Sequence, residues 1–297
     1  MSDESVFIPA YVIVGANGML GRAWRELLEA ERLDYLAYDR QQLDITDADA
    51  VAAKIPGGVR FVINGAAYTN VDACEENEAE AMRINAEGVA RLAERCAAID
   101  ATLVHFSTDY VFAGDATTPY PIDAPISPIS AYGRTKAAAE QAILDAGCKH
   151  RTIRTSWLYA PWGNNFVRTM LRLTDEKDLL SVVHDQLGRP TSARHLTAVT
   201  KQLLLGAPDG VYHVADGGEC TWFEFAVEIA RQAGHACDIQ PCTTDQFPRP
   251  AKRPAYSVLD LSRTEAAVGP MPDWKDNLAA VLEHQEILPQ MNAEVRK

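Results

Sequence analysis

Along the first half of the chain, short apolar runs without polar alternation take turns with stretches whose apolar positions recur at helical spacing. The runs are Tyr11–Val14, Tyr35–Tyr38, Phe61–Ile63, Thr102–Phe106 and His150–Arg154. Between them the helical patterns cover Leu20–Ala30, Asp47–Lys54, about 78–99 and about 131–146. A strand with one wet face alternates, whereas one covered on both faces reads as a continuous apolar run. Strand–helix–strand repetition of this kind predicts an α/β fold with a doubly wound parallel sheet. After about residue 155 the pattern loosens. Helical stretches at Phe166–Asp175, His195–Leu205 and Thr221–Ala233 mix with strand candidates at Leu179–Val183 and Val211–Val214. A segment with Pro248, Arg249, Pro250, Arg253 and Pro254 precedes a last helix near Asp276–His284. The pattern therefore predicts a wound sheet from residues 1–155, completed by later segments at about 178–205. Residues 156–297 are expected to form mostly a smaller C-terminal lobe.

Charge narrows the partners. The 297 residues carry 28 Lys and Arg against 41 Asp and Glu, a net charge of −13. There is no global basic footprint for nucleic acid or an anionic membrane. An anionic ligand would have to be met by local arginines or by helix N-termini. None of the six cysteines forms a CxxC pair, which fits reduced cytosolic thiols. The first apolar run is preceded by Asp3 and Glu4 and interrupted by Gly15, unlike a secretory signal. No segment approaches the roughly 20 apolar residues of a membrane span. A cytoplasmic location is expected.

Gly15-Ala-Asn-Gly18-Met-Leu-Gly21 follows the first run and opens the first helical stretch. Its spacing is GxxGxxG, not GxGxxG. Such glycines let the chain turn sharply, let backbone approach a pyrophosphate, and let helix pack on strand. In the first βα unit of a βαβ pattern they predict a Rossmann-type dinucleotide site, with Gly15, Asn17, Gly18, Met19, Leu20 and Gly21 around the phosphates. Asp39 lies 18 residues beyond Gly21, where an acid accepts from the adenosine ribose and favours NAD. Arg40 beside it, and Arg22 after the last glycine, favour the 2′-phosphate of NADP. Asp44, Ile45, Ala66, Ala67 and Tyr68 fall after the second and third strands, at the edge where doubly wound sheets bind ligands.

Ala131-Tyr132-Gly-Arg-Thr-Lys136 opens a helix, so Tyr132 and Lys136 share one face. A phenol with a reference pKa near 10 is a poor acid–base catalyst at neutral pH. A nearby ammonium lowers that pKa and makes proton exchange with a substrate oxygen feasible. Ser107 and Thr108 end the fourth strand at the same edge, where a hydroxyl can reach that oxygen. YxxxK alone is a common accident; with the glycine turn and a hydroxyl pair 24 residues upstream it is a constellation.

These features resemble the extended short-chain dehydrogenases/reductases that act on nucleotide sugars. Longer blocks narrow the resemblance to the dTDP-4-dehydrorhamnose reductase family: Asn64-Gly-Ala-Ala-Tyr-Thr-Asn-Val-Asp, Phe106-Ser-Thr-Asp-Tyr-Val-Phe, Tyr132-Gly-Arg-Thr-Lys, Arg154-Thr-Ser-Trp-Leu-Tyr, Gly163-Asn-Asn-Phe, Asp185-Gln-Leu-Gly-Arg-Pro-Thr and Arg253-Pro-Ala-Tyr-Ser-Val-Leu-Asp. The matching blocks run from about residue 11 to 285. The resemblance implies reduction of a 4-keto-6-deoxy sugar nucleotide to dTDP-L-rhamnose, with hydride from NADPH or NADH. It implies Thr108, Tyr132 and Lys136 as the catalytic set, with Tyr132 and Lys136 also touching the cofactor. Val71, Tyr110 and Trp157 become substrate contacts, with core packing the competing reading for Val71 and Trp157. Arg189, Arg249 and Arg253 are candidates for the substrate pyrophosphate, since Arg suits bidentate phosphate contact.

Some members of that family are described with magnesium bridging a dimer through glutamates. Here Arg22-Ala23 follows Gly21, and no carboxylates cluster near Arg194-His195, so no structural metal is expected. A monomer or a homodimer is expected. Two rivals stay open: a sugar-nucleotide reductase or epimerase with a different deoxysugar, and a non-catalytic regulatory subunit of the methionine adenosyltransferase type. The complete Thr108, Tyr132 and Lys136 set argues against the second.

Overall fold

The computed structural model describes residues 8–284 and Ile287. At its centre is a six-stranded parallel sheet. Its first five strands in sequence are β1 (Tyr11–Val14), β2 (Tyr35–Tyr38), β3 (Phe61–Asn64), β4 (Thr102–Thr108) and β5 (Lys149–Thr155). Successive residues of β1 serve opposite cores. Tyr11 and Ile13 face one apolar cluster with Leu20, Trp24, Leu28, Leu196, Val199 and Leu203. Val12 and Val14 face another with Val51, Leu92, Cys96 and Ile143. That double burial is why the run shows no polar alternation. The helices α1 (Met19–Ala30) and α2 (Ala48–Lys54) follow the first two strands. Asp47 caps α2 by accepting from the Asp49 and Ala50 amides.

The expected helix over 78–99 is interrupted. Ahead of it stands a short α3 (Val71–Glu76), capped by Asn70; then come α4 (Glu78–Met82), a π-helical turn at Arg83–Glu87, and α5 (Gly88–Ala98). The last of this half, α6 (Ala131–Ala146), is capped by Ser130, whose hydroxyl accepts from the Gly133 amide at 3.2 Å.

The sheet order is Gly210–His213, β5, β4, β3, β1, β2. The expectation that 178–205 completes the sheet is corrected here, because the sixth strand is Gly210–His213, paired with Arg151–Arg154. Leu179–Val183 instead pairs with Asp238–Cys242 in a two-stranded sheet of its own. Its Leu179 and Ser181 are exposed, so it never had two covered faces. The helix Ala193–Gly206 does join the first half, packing on α1 over the sheet. A third core of Tyr159, Val167, Leu171, Phe225, Ile229, Trp274 and Leu278 holds the later segments together. Strand order reverses between β1 and β3, which opens a crevice at their C-terminal ends. Among the described residues no helix is long and apolar enough to cross a membrane.

Candidate active site

The crevice is a cleft lined by Gly15, Asn17, Gly18, Asp39, Arg40, Leu43, Asp44, Ile45, Gly65, Ala66, Ala67, Tyr68 and Ile84. The sequence reading thus has ten of its cofactor candidates on one wall and missed Leu43, Gly65 and Ile84. Leu43 and Ile84 carry no motif, and only the fold brings them here. Met19, Leu20 and Gly21 lie behind that wall, in the first turn of α1. Gly21 is there for close packing: a Cβ would sit 2.3 Å from the Gly15 carbonyl oxygen. The α1 N-terminus has no side-chain cap and no acidic residue in its first turn, whereas α2 and α6 are capped. Its first amides are left for an external acceptor, as anion sites at helix starts require.

At the adenosine end Asp39 is heavily engaged. It accepts from the Gln41 and Gln42 amides at 2.9 and 3.0 Å and from Asn17 Nδ2 at 3.0 Å. Arg40 is exposed and has no ion-pair partner among the described residues. Arg22 turns elsewhere, to Glu26 at 3.3 Å and over the Trp162 ring. Of the two arginines considered for a 2′-phosphate, the structure leaves Arg40 at the cleft.

At the C-terminal end of β4 and the start of α6 stand Thr108, Asp109, Tyr110, Tyr132 and Lys136. The two hydroxyls at the end of β4 have separate fates. Ser107 donates to buried Glu140 at 2.5 Å, and Glu140 also holds buried Arg154 of β5. Thr108 donates to Asp109 Oδ1 at 2.8 Å and accepts from the Tyr110 amide at 3.2 Å. Asp109 is 2 % exposed, and its Oδ2 is buried without a hydrogen-bond partner. Burial pushes its carboxyl up to about 6, against the lowering pull of the nearby Ser257 and Thr108 hydroxyls.

Tyr132 meets Tyr110 edge-on, ring centroids 5.7 Å apart. Its phenol is raised above its ordinary pKa, first by burial and then by the negative charge of Asp109. Lys136 contributes no lowering to it, contrary to the expectation. The lysine is buried behind the tyrosine, and its Nζ lies 3.2 Å from His105 Nε2. Burial draws Lys136 down to about 8, opposed by Glu140. His105 escaped the sequence reading because nothing in a strand histidine announces a lysine neighbour. Asn85 escaped it too: from the π-helical turn its side chain holds the Tyr68 backbone and Thr135 of α6.

The proposed substrate contacts gather less tightly. Val71 opens α3 and Tyr110 follows Thr108. Trp157 holds a backbone φ of +44° and stacks on Trp222 at 3.6 Å, with a Gly188 Cβ position only 2.6 Å from its ring. Such an outlier in a non-glycine residue costs energy and recurs at functional sites. Arg189 spends two donors on backbone carbonyls, Leu259 at 3.2 Å and Gly218 at 2.5 Å. Arg249 and Arg253 both bind Asp72, at 3.0 and 2.9 Å, and Arg253 Nη1 is buried and unpartnered. Arg194 pairs with Glu26 at 2.9 Å, and no group of three or more metal-ligating side chains occurs among the described residues.

A doubly wound sheet, an uncapped helix behind a glycine turn, and a Tyr/Lys helix beside a threonine define the extended short-chain dehydrogenase/reductase class. The chain matches the family model described as RmlD substrate binding domain over residues 10–287, and it belongs to that family. It is 42% identical over 272 residues to the dTDP-4-dehydrorhamnose reductase of Mycolicibacterium smegmatis, covering 90% of this chain and 83% of that one. It is 41% identical over 278 residues to a probable dTDP-4,6-dihydroxy-2-methyloxan-3-one 4-ketoreductase of Streptomyces antibioticus, covering 90% and 92%. The structure superposes on the Bacillus anthracis dTDP-4-dehydrorhamnose reductase in complex with NADP with a TM-score of 0.88, at 37% identity, covering 93% and 99% of the two chains.

Proposed function

We propose that this protein reduces the C4 ketone of dTDP-4-dehydrorhamnose to give dTDP-L-rhamnose, using NADPH, with NADH as the alternative donor. The observation that carries the reading is the shared edge. The dinucleotide cleft and the Thr108, Tyr132 and Lys136 group lie at the C-terminal ends of adjoining strands. When bound, a nicotinamide cofactor would supply the hydride needed at C4. The first amides of α1 hold its pyrophosphate, and Arg40 meets the 2′-phosphate. Tyr132 arrives protonated and gives its proton to O4 as negative charge develops there. Thr108 orients the phenol and hydrogen-bonds the same oxygen once its hydroxyl turns from Asp109. Val71, Tyr110 and Trp157 face the sugar, and Arg189, Arg249 and Arg253 serve the diphosphate. Residues 1–155 act as the dinucleotide-binding domain, joined by 193–213, with most of 156–297 as the substrate-binding lobe. The enzyme works in the cytoplasm as a monomer or homodimer, without nucleic acid or membrane partners.

The test is product identification by NMR after incubating pure protein with NADPH and the dTDP-4-keto sugar. dTDP-L-rhamnose supports the reading. The match to the Streptomyces antibioticus protein makes a different deoxysugar the rival. A product with another configuration at C4, or turnover only of another dTDP-ketosugar, would establish that rival.

A further inference from the structure

Asn64 and His105 are register partners on the parallel strands β3 and β4, so their side chains leave the sheet together. Asn64 Oδ1 accepts from the Ala66 amide at 3.0 Å. Its amide nitrogen is therefore the end that faces His105 Nδ1, at 3.2 Å. A carboxamide nitrogen only donates, so Nδ1 must accept. The one proton of the neutral ring then sits on Nε2. That nitrogen lies 3.2 Å from Lys136 Nζ. An ammonium has three donors and no lone pair. Facing a ring N–H it is donor against donor, and the contact becomes a hydrogen bond only when Nζ offers a lone pair.

We propose that His105 is a positioning residue that favours the uncharged amine of Lys136, so that in mildly alkaline solution part of the lysine stands neutral and cofactor binding is coupled to uptake of a proton at Nζ. The surroundings agree. His105 and Lys136 are 1% and 2% exposed. Burial of His105 opposes an imidazolium and holds its pKa well below the ordinary value, and any positive charge on Lys136 or on His150 of β5 acts in the same direction. Lys136 has Tyr132 and Glu140 on its own helix and His105 on β4. Glu140 favours the ammonium, but its oxygens are already shared by Ser107 and Arg154. Burial outweighs it, which is why the lysine falls to about 8. A cofactor ribose held beside Lys136 would offer hydroxyl acceptors to Nζ. There the nitrogen takes a proton from solvent, forming one new N–H bond while the buffer loses that proton. The ammonium so formed stabilises the phenolate that Tyr132 leaves behind. Lys136 thus completes its protonation with the cofactor. The chain also starts at the cleft, since Ala66, which anchors Asn64, lines its wall.

The proposal rests on the reading that the cleft takes a nicotinamide cofactor, and two measurements separate their failures. The first needs no cofactor: ¹⁵N NMR of the histidine rings, with His105 assigned by difference from His105→Gln. The expected signal is a neutral ring protonated on Nε2 that does not titrate between about pH 6 and 9. A ring protonated on Nδ1, or one that titrates in that range, overturns the proposal. The second is calorimetry of NADPH binding in buffers of different ionisation enthalpy. Linkage predicts uptake of about half a proton per site near pH 8. In His105→Gln the amide oxygen accepts from an ammonium, so the lysine stays charged and the uptake should vanish. Binding with no uptake in the wild-type protein overturns the proposal. Absence of NADPH binding overturns the functional reading instead, and the tautomer measurement still judges His105.

Discussion

Tyr132 and Asp109 impose opposite demands on the same few ångströms. The phenol must enter the reaction protonated, and burial with a carboxylate neighbour keeps it so. Tyr132→Phe removes a single oxygen, so fold and NADPH affinity should survive while kcat falls by roughly 10²–10⁴, the usual contribution of a general acid. Steady-state kinetics beside a cofactor titration check this; turnover within a few-fold of wild type would remove the tyrosine from the mechanism. Asp109 bears on stability. Its folded pKa of about 6 lies above that of an unfolded aspartate, about 3.9. Between those values the native state holds more protons than the unfolded one, so stability is lost as pH rises through the window. The loss amounts to about 2–3 kcal/mol once the carboxyl has ionised. Asp109→Asn cannot ionise, so its Tm relative to wild type should become more favourable from about pH 4.5 to 7.5. A difference independent of pH would show that the carboxyl titrates normally.

Two glycines set how closely elements approach, and they act on different halves of the site. At Gly21 a Cβ would lie 2.3 Å from the Gly15 oxygen and 2.7 Å from Ala16 Cα, so Gly21→Ala must push α1 off the phosphate turn. At Gly133 a Cβ would lie 2.2 Å from the Tyr110 oxygen, so Gly133→Ala must push α6, with Tyr132 and Lys136, away from the turn at Asp109–Val111 that follows β4. Each should cost about 1–3 kcal/mol as overpacking does. Their kinetics should differ: Gly21→Ala weakens NADPH binding most, whereas Gly133→Ala lowers kcat most, with a smaller loss of cofactor affinity through Lys136. Matching profiles would mean that the two seats are one rigid unit. The same contrast shows what could be read from sequence. Strands β1 and β3 were legible because burial on both faces leaves an almost unbroken apolar run, and Tyr132 and Lys136 were legible because helical spacing fixes their common face. The break at Arg83–Glu87 was not, because Asn85 is an ordinary polar residue until Tyr68 and Thr135 are brought to it. The strand at Val211–Val214 was legible, but not its place as the sixth of the sheet, since Leu179–Val183 is more apolar than Gly210–His213 and only cross-strand pairing tells them apart.

Across the whole molecule, the two parts of the site are joined at Asp72. This carboxylate on α3 accepts from Arg249 Nε at 3.0 Å, Arg253 Nη2 at 2.9 Å and the Ala251 amide at 3.2 Å. It therefore ties the proline- and arginine-rich segment of the later half to the residue next to Val71. The tie is mostly at the surface: Arg249 is 48% exposed, and exposed pairs contribute only about 0–1 kcal/mol. Arg253 is better enclosed, and its Nη1 is buried without a partner; in the proposed reaction that donor would meet the substrate diphosphate. Asp72→Ala should consequently leave Tm within a few degrees of wild type. The arginines should nevertheless lose their common anchor, and the KM for the dTDP-sugar should rise several-fold or more while NADPH affinity stays unchanged. Hydrogen exchange at the amides of 249–253 gives the structural readout, since protection there should fall without change in the central strands. Arg253→Lys should resemble Asp72→Ala in substrate KM, because an ammonium cannot hold Asp72 and a phosphate with the planar fork of a guanidinium. If Asp72→Ala instead lowered Tm sharply and left KM alone, the carboxylate would be a structural clasp, and the arginines it holds would leave the substrate site.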